Sequence, residues 1–407
     1  MADWDFGRLF ARRAAGVRLG LDAVRGAHRA LGAPCADRPA LRVVGTNGKG
    51  SCVFALSEAL RAAGRRVGAY TSPHLSSVEE RVRIDGLSVE RDVLGAACEA
   101  VLTVADDPRL SRPLSFFEVL TLAALRIFED ADVDVVVLEA GLGGRLDATG
   151  VVEAAALGVT RIGLDHQDVL GPDLASIARE KAGAMAPGQA VVSVPQVPPV
   201  RRVLSDHARS VGARLRFMAD DEIRAAAGRW PDHLAPARAL AVALGRVLVP
   251  ELSASHLPAS PPFGRGTVVP FGRGTILLDV AHNEDALRAC GALVAARAPG
   301  GRADLVVFGC IGTRDPAALV APLASRARHV RFVDLGPEGA PLPEGACALS
   351  GPAEAAAWVG RMAARGGTCV VAGSFRLVGP VANLLGVAET TLARPDPQDP
   401  TGRPPAA

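Results

Sequence analysis

Almost nothing in this chain is lysine, and the two exceptions fall where chemistry would use them. Of its 45 basic residues only Lys49 and Lys181 are lysine; all the others are arginine. Such a bias reflects genome composition, so the surviving lysines are candidates for positions where a compact ammonium, or an amine able to lose its proton, cannot be replaced by a guanidinium. Two neutral survivors are the alternative.

Lys49 lies in LRVVGTNGKGSCVFALSEALRAAG, which reads as strand, glycine-rich turn and helix, with Val53, Leu56 and Leu60 on the apolar helix face and Gly64 as the stop. Such a turn aims backbone N–H groups and a helix N-terminus at phosphate oxygens; Lys49 adds a mobile positive charge and Ser51 can reach a magnesium ion. The pattern departs from G-x-x-x-x-G-K-[ST], because Gly50 separates Lys49 from Ser51 and the preceding spacing is shorter. Glycine-rich turns are often only turns, and the lysine is what points to a nucleotide phosphate. Lys181 falls in DLASIAREKAGAM, a helix with Asp173 as N-cap. It reads either as an exposed helix lysine or as an amine that loses its proton when partly buried and adds carbon dioxide, becoming a carbamate that can act as an anionic oxygen ligand.

Other polar residues follow predicted strands: Ser72 in AYTSPHL, Glu139 in VVVLEAGLGGRLDATG, and Asp165 with His166 in IGLDHQDVLG. In a parallel sheet these positions share the C-terminal edge, where open α/β sheets bind ligands. Hydroxyl, carboxylate and imidazole can complete the shell of magnesium ions that also hold phosphates. Taken singly, a histidine after a strand is more often a packing or surface residue, and a glutamate a solvated one.

The elements that must position these groups alternate. Strands are predicted at Leu41–Val44, Val67–Tyr70, Asp134–Leu138, Ala156–Ile162 and Ala190–Val194, and a second series at Thr275–Val280, Asp304–Phe308, His329–Val333 and Thr368–Val371. Helical stretches such as Pro316–Ala327 and Ala353–Ala364 separate the second series. The pattern is that of parallel sheets covered by helices, in two domains, as 407 residues allow. Leu252–Gly274, rich in Pro, Ser and Gly, reads as an interdomain linker without regular structure, and the echo FGRGT at Phe263 and Phe271 as chance. The tail after Ala393 has too little apolar surface to order.

Composition removes several classes. A net charge of +2, 4% aromatic residues and no Lys/Arg block exclude a nucleic-acid face. Seven cysteines without CxxC spacing read as reduced thiols. No apolar run of roughly 18 residues and no signal-like N-terminus occur, so a cytoplasmic protein with no membrane partner is expected.

Ten segments in order, GVRLGLDAV, VVGTNGKGS, YTSPHL, ERVRIDG, SFFEVLTLAAL, LEAGLGGRLDATG, IGLDHQDVLG, IAREKAGAM, LLDVAHN and AGSFRLVG, resemble the folylpolyglutamate synthase/dihydrofolate synthase family of the Mur ligase superfamily, from about Gly16 to Gly386. The resemblance implies an α/β protein: an N-terminal P-loop ATPase-type domain with a parallel sheet, 1–261, and a smaller C-terminal Rossmann-like domain, 262–390, with catalysis in the cleft between them and a disordered tail, 391–407. It implies an ATP-dependent ligase that adds L-glutamate to dihydropteroate and to the glutamate chain of tetrahydrofolates through an acyl phosphate. ATP and Mg2+ are the implied cofactors, a monovalent cation such as K+ is a further candidate, and the implied state is a monomer.

By the same resemblance Thr46, Asn47, Gly48, Lys49, Gly50 and Ser51 bind ATP, joined by Arg265, Asp279 and His282 of the second domain. Ser72, Glu139 and His166 ligate the metal, and Lys181 is the carbamylated lysine. Lys49, Lys181 and His166 are the catalytic candidates. Phe117, Glu118, Leu146, Asp147 and Ala148 line the pterin and aminobenzoate side. Departures are also visible. Leu234 and Ala237 stand where the family carries Gln and an adenine-contacting Asn, Gly150 replaces an Asn after LDAT, and GTRD at Gly312–Asp315 replaces a more acidic turn. Two alternatives therefore stay open: a Mur-like amide ligase with a different carboxylate acceptor, and a nucleotide-binding protein that has lost catalysis.

Overall fold

The computed structural model describes residues 6–15, 20–312 and 314–388. The tail 391–407 and the start of the first matching segment, Gly16 to Leu19, lie outside the described residues. The chain divides between Ser260 and Pro261 into two compact units, each built on its own sheet.

The first sheet comprises β1 (Ala40–Val44), β2 (Val67–Tyr70), β3 (Val82–Ile84), β4 (Leu87–Ser88), β5 (Val135–Glu139), β6 (Ala156–Val159), β7 (Ala190–Ser193) and β8 (Arg214–Phe217), in the order β4-β3-β2-β5-β1-β6-β7-β8. The strands from β2 to β8 in that order are parallel, and β3 and β4 extend the edge as an antiparallel hairpin. Parallel strands need helical crossovers, which cover both faces and make the strands continuous apolar runs. β5 shows how this works. Val135 and Val137 enter a core shared with the helices Lys49–Ala62 and Ala235–Gly245, while Val136 and Leu138 enter another with Arg91–Ala105 and Phe116–Asp130.

Helix ends follow local chemistry. Ser115 and Glu118 form a capping box ahead of Phe116–Asp130, Asp173 caps Leu174–Ala182, and Gly64, at φ +80°, closes Lys49–Ala62.

The second unit contains β9 (Arg265–Phe271), β10 (Gly274–Asp279), β11 (Ala303–Phe308), β12 (Ala327–Val333), β13 (Ala348–Leu349) and β14 (Thr368–Ala372), ordered β13-β12-β11-β14-β10-β9. All pairings are parallel except β9 with β10. The expectation of an irregular linker through Gly274 is thus corrected: its second half is an edge strand. An edge tolerates Pro270 and the nearby glycines because only one side of β9 pairs, and those residues hide the strand pattern. β8, four residues of RLRF half-exposed at the other sheet's edge, was likewise not anticipated. All seven cysteines are free thiols and only Cys347 is exposed. Among the described residues no helix is long and apolar enough to cross a membrane.

Candidate active site

The four adjacent strands β2, β5, β1 and β6 end on one edge, and Ser72, Glu139, the turn 45–51 and Asp165 with His166 lie at or after those ends. After β1 the chain turns through Gly45, at φ +147°, and Gly48, at φ +93°. A Cβ at Gly45 would overlap the Thr160 hydroxyl, so glycine is required there by both space and conformation. The turn is tied to the segment after β6. Thr46 and Asn47 donate their backbone N–H groups to the Arg161 carbonyl at 2.9 and 3.1 Å, and the Thr46 hydroxyl donates to Gly163 O and accepts from Gly163 N, both at 3.1 Å. The amides of Thr46 and Asn47 therefore hold the turn. The donors left at the helix start are those of Lys49, Gly50 and Ser51, ahead of the first intrahelical bond from Cys52 N to Gly48 O. Lys49 is half-buried, its Nζ 3.4 Å from Thr46 O.

Glu139 ends β5 and is 3% exposed. Its Oε2 accepts from Ser72 N at 3.0 Å and would stand 3.2 Å from a Cβ at position 50, so Gly50 is what lets the helix start approach the carboxylate. Beside it Ser51 Oγ is buried without a hydrogen-bond partner. An orphaned buried hydroxyl is costly unless a ligand completes it. Together with the Glu139 carboxylate it suits a hard cation that prefers oxygen and shares its shell with phosphates. Among the described residues no group of three or more His, Cys, Asp or Glu side chains converges. His166 is exposed and holds a left-handed backbone, φ +49°, with its N–H bonded to Asp165 Oδ1 at 3.0 Å.

Lys181 is 4% exposed and donates to the Gly45 carbonyl at 2.8 Å. Burial, with the Lys49 charge in support, pulls its amine down from 10.5 to about 7 against the opposing pull of Asp165 and Asp147. Burial thus favours the neutral amine.

No family model matches the chain. The dihydrofolate synthase/folylpolyglutamate synthase of Escherichia coli K12 is 35% identical over 319 residues, covering 73% of this chain and 74% of that protein. This chain belongs to the dihydrofolate synthase/folylpolyglutamate synthase family. Escherichia coli FolC in complex with DHPP and ADP has the same fold, with a TM-score of 0.81 and 30% identity over 93% of this chain and 96% of the other. A bifunctional folylpolyglutamate synthase/dihydrofolate synthase with Mn, AMPPNP and L-glutamate bound gives 0.79 and 31% over 93% and 97%.

The residues that the resemblance puts on the acceptor side divide by what they touch. Phe117 is half-buried, its ring 5.7 Å from that of Tyr70 and packed over Gly141, where a Cβ would come within 2.7 Å of the ring. Glu118 is buried and engaged by Arg112 through 2.7 and 2.9 Å bonds and by Ser115 N. Asp147 is also buried and accepts from the amides of Gly141, Leu142 and Thr149. Ala148 is buried beside it, and Leu146 is half-exposed.

In the second unit Arg265, Asp279 and His282 lie on or just after the paired strands β9 and β10. Arg265 stacks over Phe375 at 5.0 Å and lies opposite Asp279 in the ladder. Asp279 is buried and accepts from Ala281 N, His282 Nδ1 lies 2.9 Å from Val280 O, and Asn283 caps the helix Glu284–Arg297. The departures at Leu234 and Ala237 are apolar and buried, and the Ala237 methyl lies 3.5 Å from where a Cβ on Gly48 would be. Arg42 carries no signal in the sequence, because a strand pattern gives no reason to notice one polar residue; it lies buried, bonded to the loop after β5.

Proposed function

We propose that this chain is an ATP-dependent ligase that joins L-glutamate to dihydropteroate and to the glutamate chain of tetrahydrofolates, with release of ADP and phosphate. The observation that carries the reading is the buried Lys181 amine bonded to the first residue of the phosphate turn, in a chain of this family. Phosphoryl transfer asks mainly for positioning and charge neutralisation. The Lys49 ammonium and the helix-start amides receive the ATP phosphates. Ser51, Ser72, Glu139, His166 and a carbamylated Lys181 would hold magnesium, which when bound supplies positive charge against the phosphate oxygens. Arg265, Asp279 and His282 are assigned to the nucleotide, and Phe117, Glu118, Leu146, Asp147 and Ala148 to the acceptor side, where Glu118 and Asp147 act by holding the backbone.

In the reaction an acceptor carboxylate oxygen bonds to the γ-phosphorus as the bond to ADP breaks. The glutamate amine then adds to the acyl carbon and loses a proton, and phosphate leaves. A monomer working in the cytoplasm on small molecules completes the proposal. A second reading, the same chemistry on a different carboxylate acceptor, draws on Gly150 and Arg42, which reshape the support of the acceptor-side loop.

The test is phosphate release by purified protein with ATP, Mg2+ and L-glutamate, comparing dihydropteroate, tetrahydrofolate and no acceptor, beside Lys181→Arg. Release that requires a pterin and falls at least about 100-fold in the variant is expected, since a guanidinium can neither take up CO2 nor fit that bond. Pterin-independent release, or none, would sink the folate assignment.

A further inference from the structure

Arg42 is out of place by the logic of its strand. It lies in β1, paired on both sides by β5 and β6, and is 5% exposed at a position that faces the same core as Val136 and Leu138. Its guanidinium makes three directed contacts, all to the segment after β5. Nε donates to Thr149 Oγ1 at 2.9 Å, Nη2 donates to Gly144 O at 2.7 Å, and Nη2 lies 3.6 Å from Asp147 Oδ1. Asp147 in turn accepts from Gly141 N and Leu142 N through Oδ2, and from Thr149 N and Oγ1 through Oδ1. The loop is thus folded around one buried ion pair. It also touches the helix that carries Lys181: Arg145 N donates to Glu180 O at 2.9 Å, and a Cβ at Gly144 would come within 3.1 Å of the Lys181 carbonyl.

Gly150 completes the observation. Its backbone lies outside the left-handed region, in a helical turn over Ala148–Val151 that any residue can adopt. Glycine is therefore not needed for conformation. The three heavy atoms nearest to a Cβ built there are all from Arg42: Nη1 at 3.0 Å, Cζ at 3.5 Å and Nη2 at 3.5 Å. The guanidinium occupies the volume into which a side chain at 150 would project.

We propose that Arg42 is a positioning residue for the acceptor: from the floor of the sheet it replaces a side chain at position 150 and holds Gly141–Thr149 in the shape that receives substrate. The proposal rests on the reading that this segment lines the acceptor side. Arginine suits the task because its planar fork serves a hydroxyl and a carbonyl at once, which a lysine ammonium cannot match in geometry. The two positions are then a linked pair, and changing either alone leaves a hole or a clash.

The experiment is a double-mutant cycle over Arg42→Met and Gly150→Asn, with two readouts. The first is KM for dihydropteroate against KM for ATP. Each single variant is expected to raise the dihydropteroate KM roughly ten-fold or more while the ATP KM stays within about two-fold. In the double variant the Asn side chain enters the space that the guanidinium vacated, and the dihydropteroate KM should return toward wild type. Unchanged KM in the single variants, equal loss for both substrates, or additive losses in the double variant would overturn the proposal. Should Arg42→Met fail to fold, Gly150→Asn and Arg42→Lys carry it, and an unmoved dihydropteroate KM in both decides against it.

The second readout is hydrogen exchange of peptides spanning 141–150 without any substrate. Each single variant should accelerate it and the double variant slow it again; equal exchange in all four proteins rejects the positioning role. If wild type turns over no pterin, the folate reading fails by itself and the exchange measurement still judges Arg42.

Discussion

Single side chains carry the chemistry, and two of them have consequences that can be measured apart from turnover. Lys181 binds its proton with a pKa of about 7 in the folded chain against 10.5 ordinarily. Between those values the unfolded chain holds a proton that the folded one lacks, so folding stability of the metal-free protein rises with pH from about 7 to 10.5. Below pH 7 the burial penalty is fully present. Urea denaturation at pH 7.5 and 9.5 should show wild type gaining stability relative to Lys181→Met; a pH-independent difference would mean that the lysine is not buried as a free amine. Ser51 is the converse case. Its Oγ has no partner, so Ser51→Ala should leave the melting temperature unchanged or higher, yet weaken Mg2+-dependent nucleotide binding by about ten-fold in calorimetric titration. A hydroxyl that merely packs would give no affinity change. Sequence alone shows that the two lysines are unusual, but not that the Thr46 and Asn47 amides bond to Arg161 O, since that partner lies more than a hundred residues away.

At the scale of elements, the repeated pentapeptide FGRGT shows how far local sequence goes. Its first copy runs into β9 and sets Arg265 over Phe375, while its second copy turns from β9 into β10 with Arg273 exposed. Identical neighbours thus give the two arginines different surroundings, because pairing with β10 and packing on Phe375 are tertiary. Arg265→Ala is expected to weaken ATP binding about ten-fold or more, and Arg273→Ala to leave it within about two-fold, both by titration with the nucleotide. Equal effects would count against a nucleotide-binding role for Arg265. The central strands were legible because each is a run of branched apolar residues followed by a turn. The edge strands β8 and β9 were not, since half-exposed positions carry arginine, threonine and proline as readily as a loop does.

For the whole molecule, the boundary matters most. Trp230 Nε1 donates to Pro258 O at 3.1 Å, fixing the chain at the end of the first unit, and Val280 N donates to Gly264 O at 2.9 Å, fixing it at the start of the second. The stretch 259–263 lies between these anchors. A low dose of a non-specific protease should therefore cut first within 259–263, before β9, and each fragment should keep its circular dichroism; a first cut inside 265–274 would mean that β9 is not stably paired. Composition alone marks all of 252–274 as one linker, whereas β9 occupies Arg265–Phe271.

What the sequence determined by itself was whatever depends on near neighbours or on order along the chain. Apolar runs alternating with helical periods made two parallel sheets, and strands followed at once by polar residues put Ser72, Glu139 and the phosphate turn on one edge. The scarcity of lysine then picked out Lys49 and Lys181. Tertiary structure decided which of those groups meet and what supports them. Lys181 crosses 136 positions to reach Gly45 O, and Arg42 crosses 107 to Thr149. Contacts of that range follow from the packing of whole elements, and no local propensity or spacing encodes them.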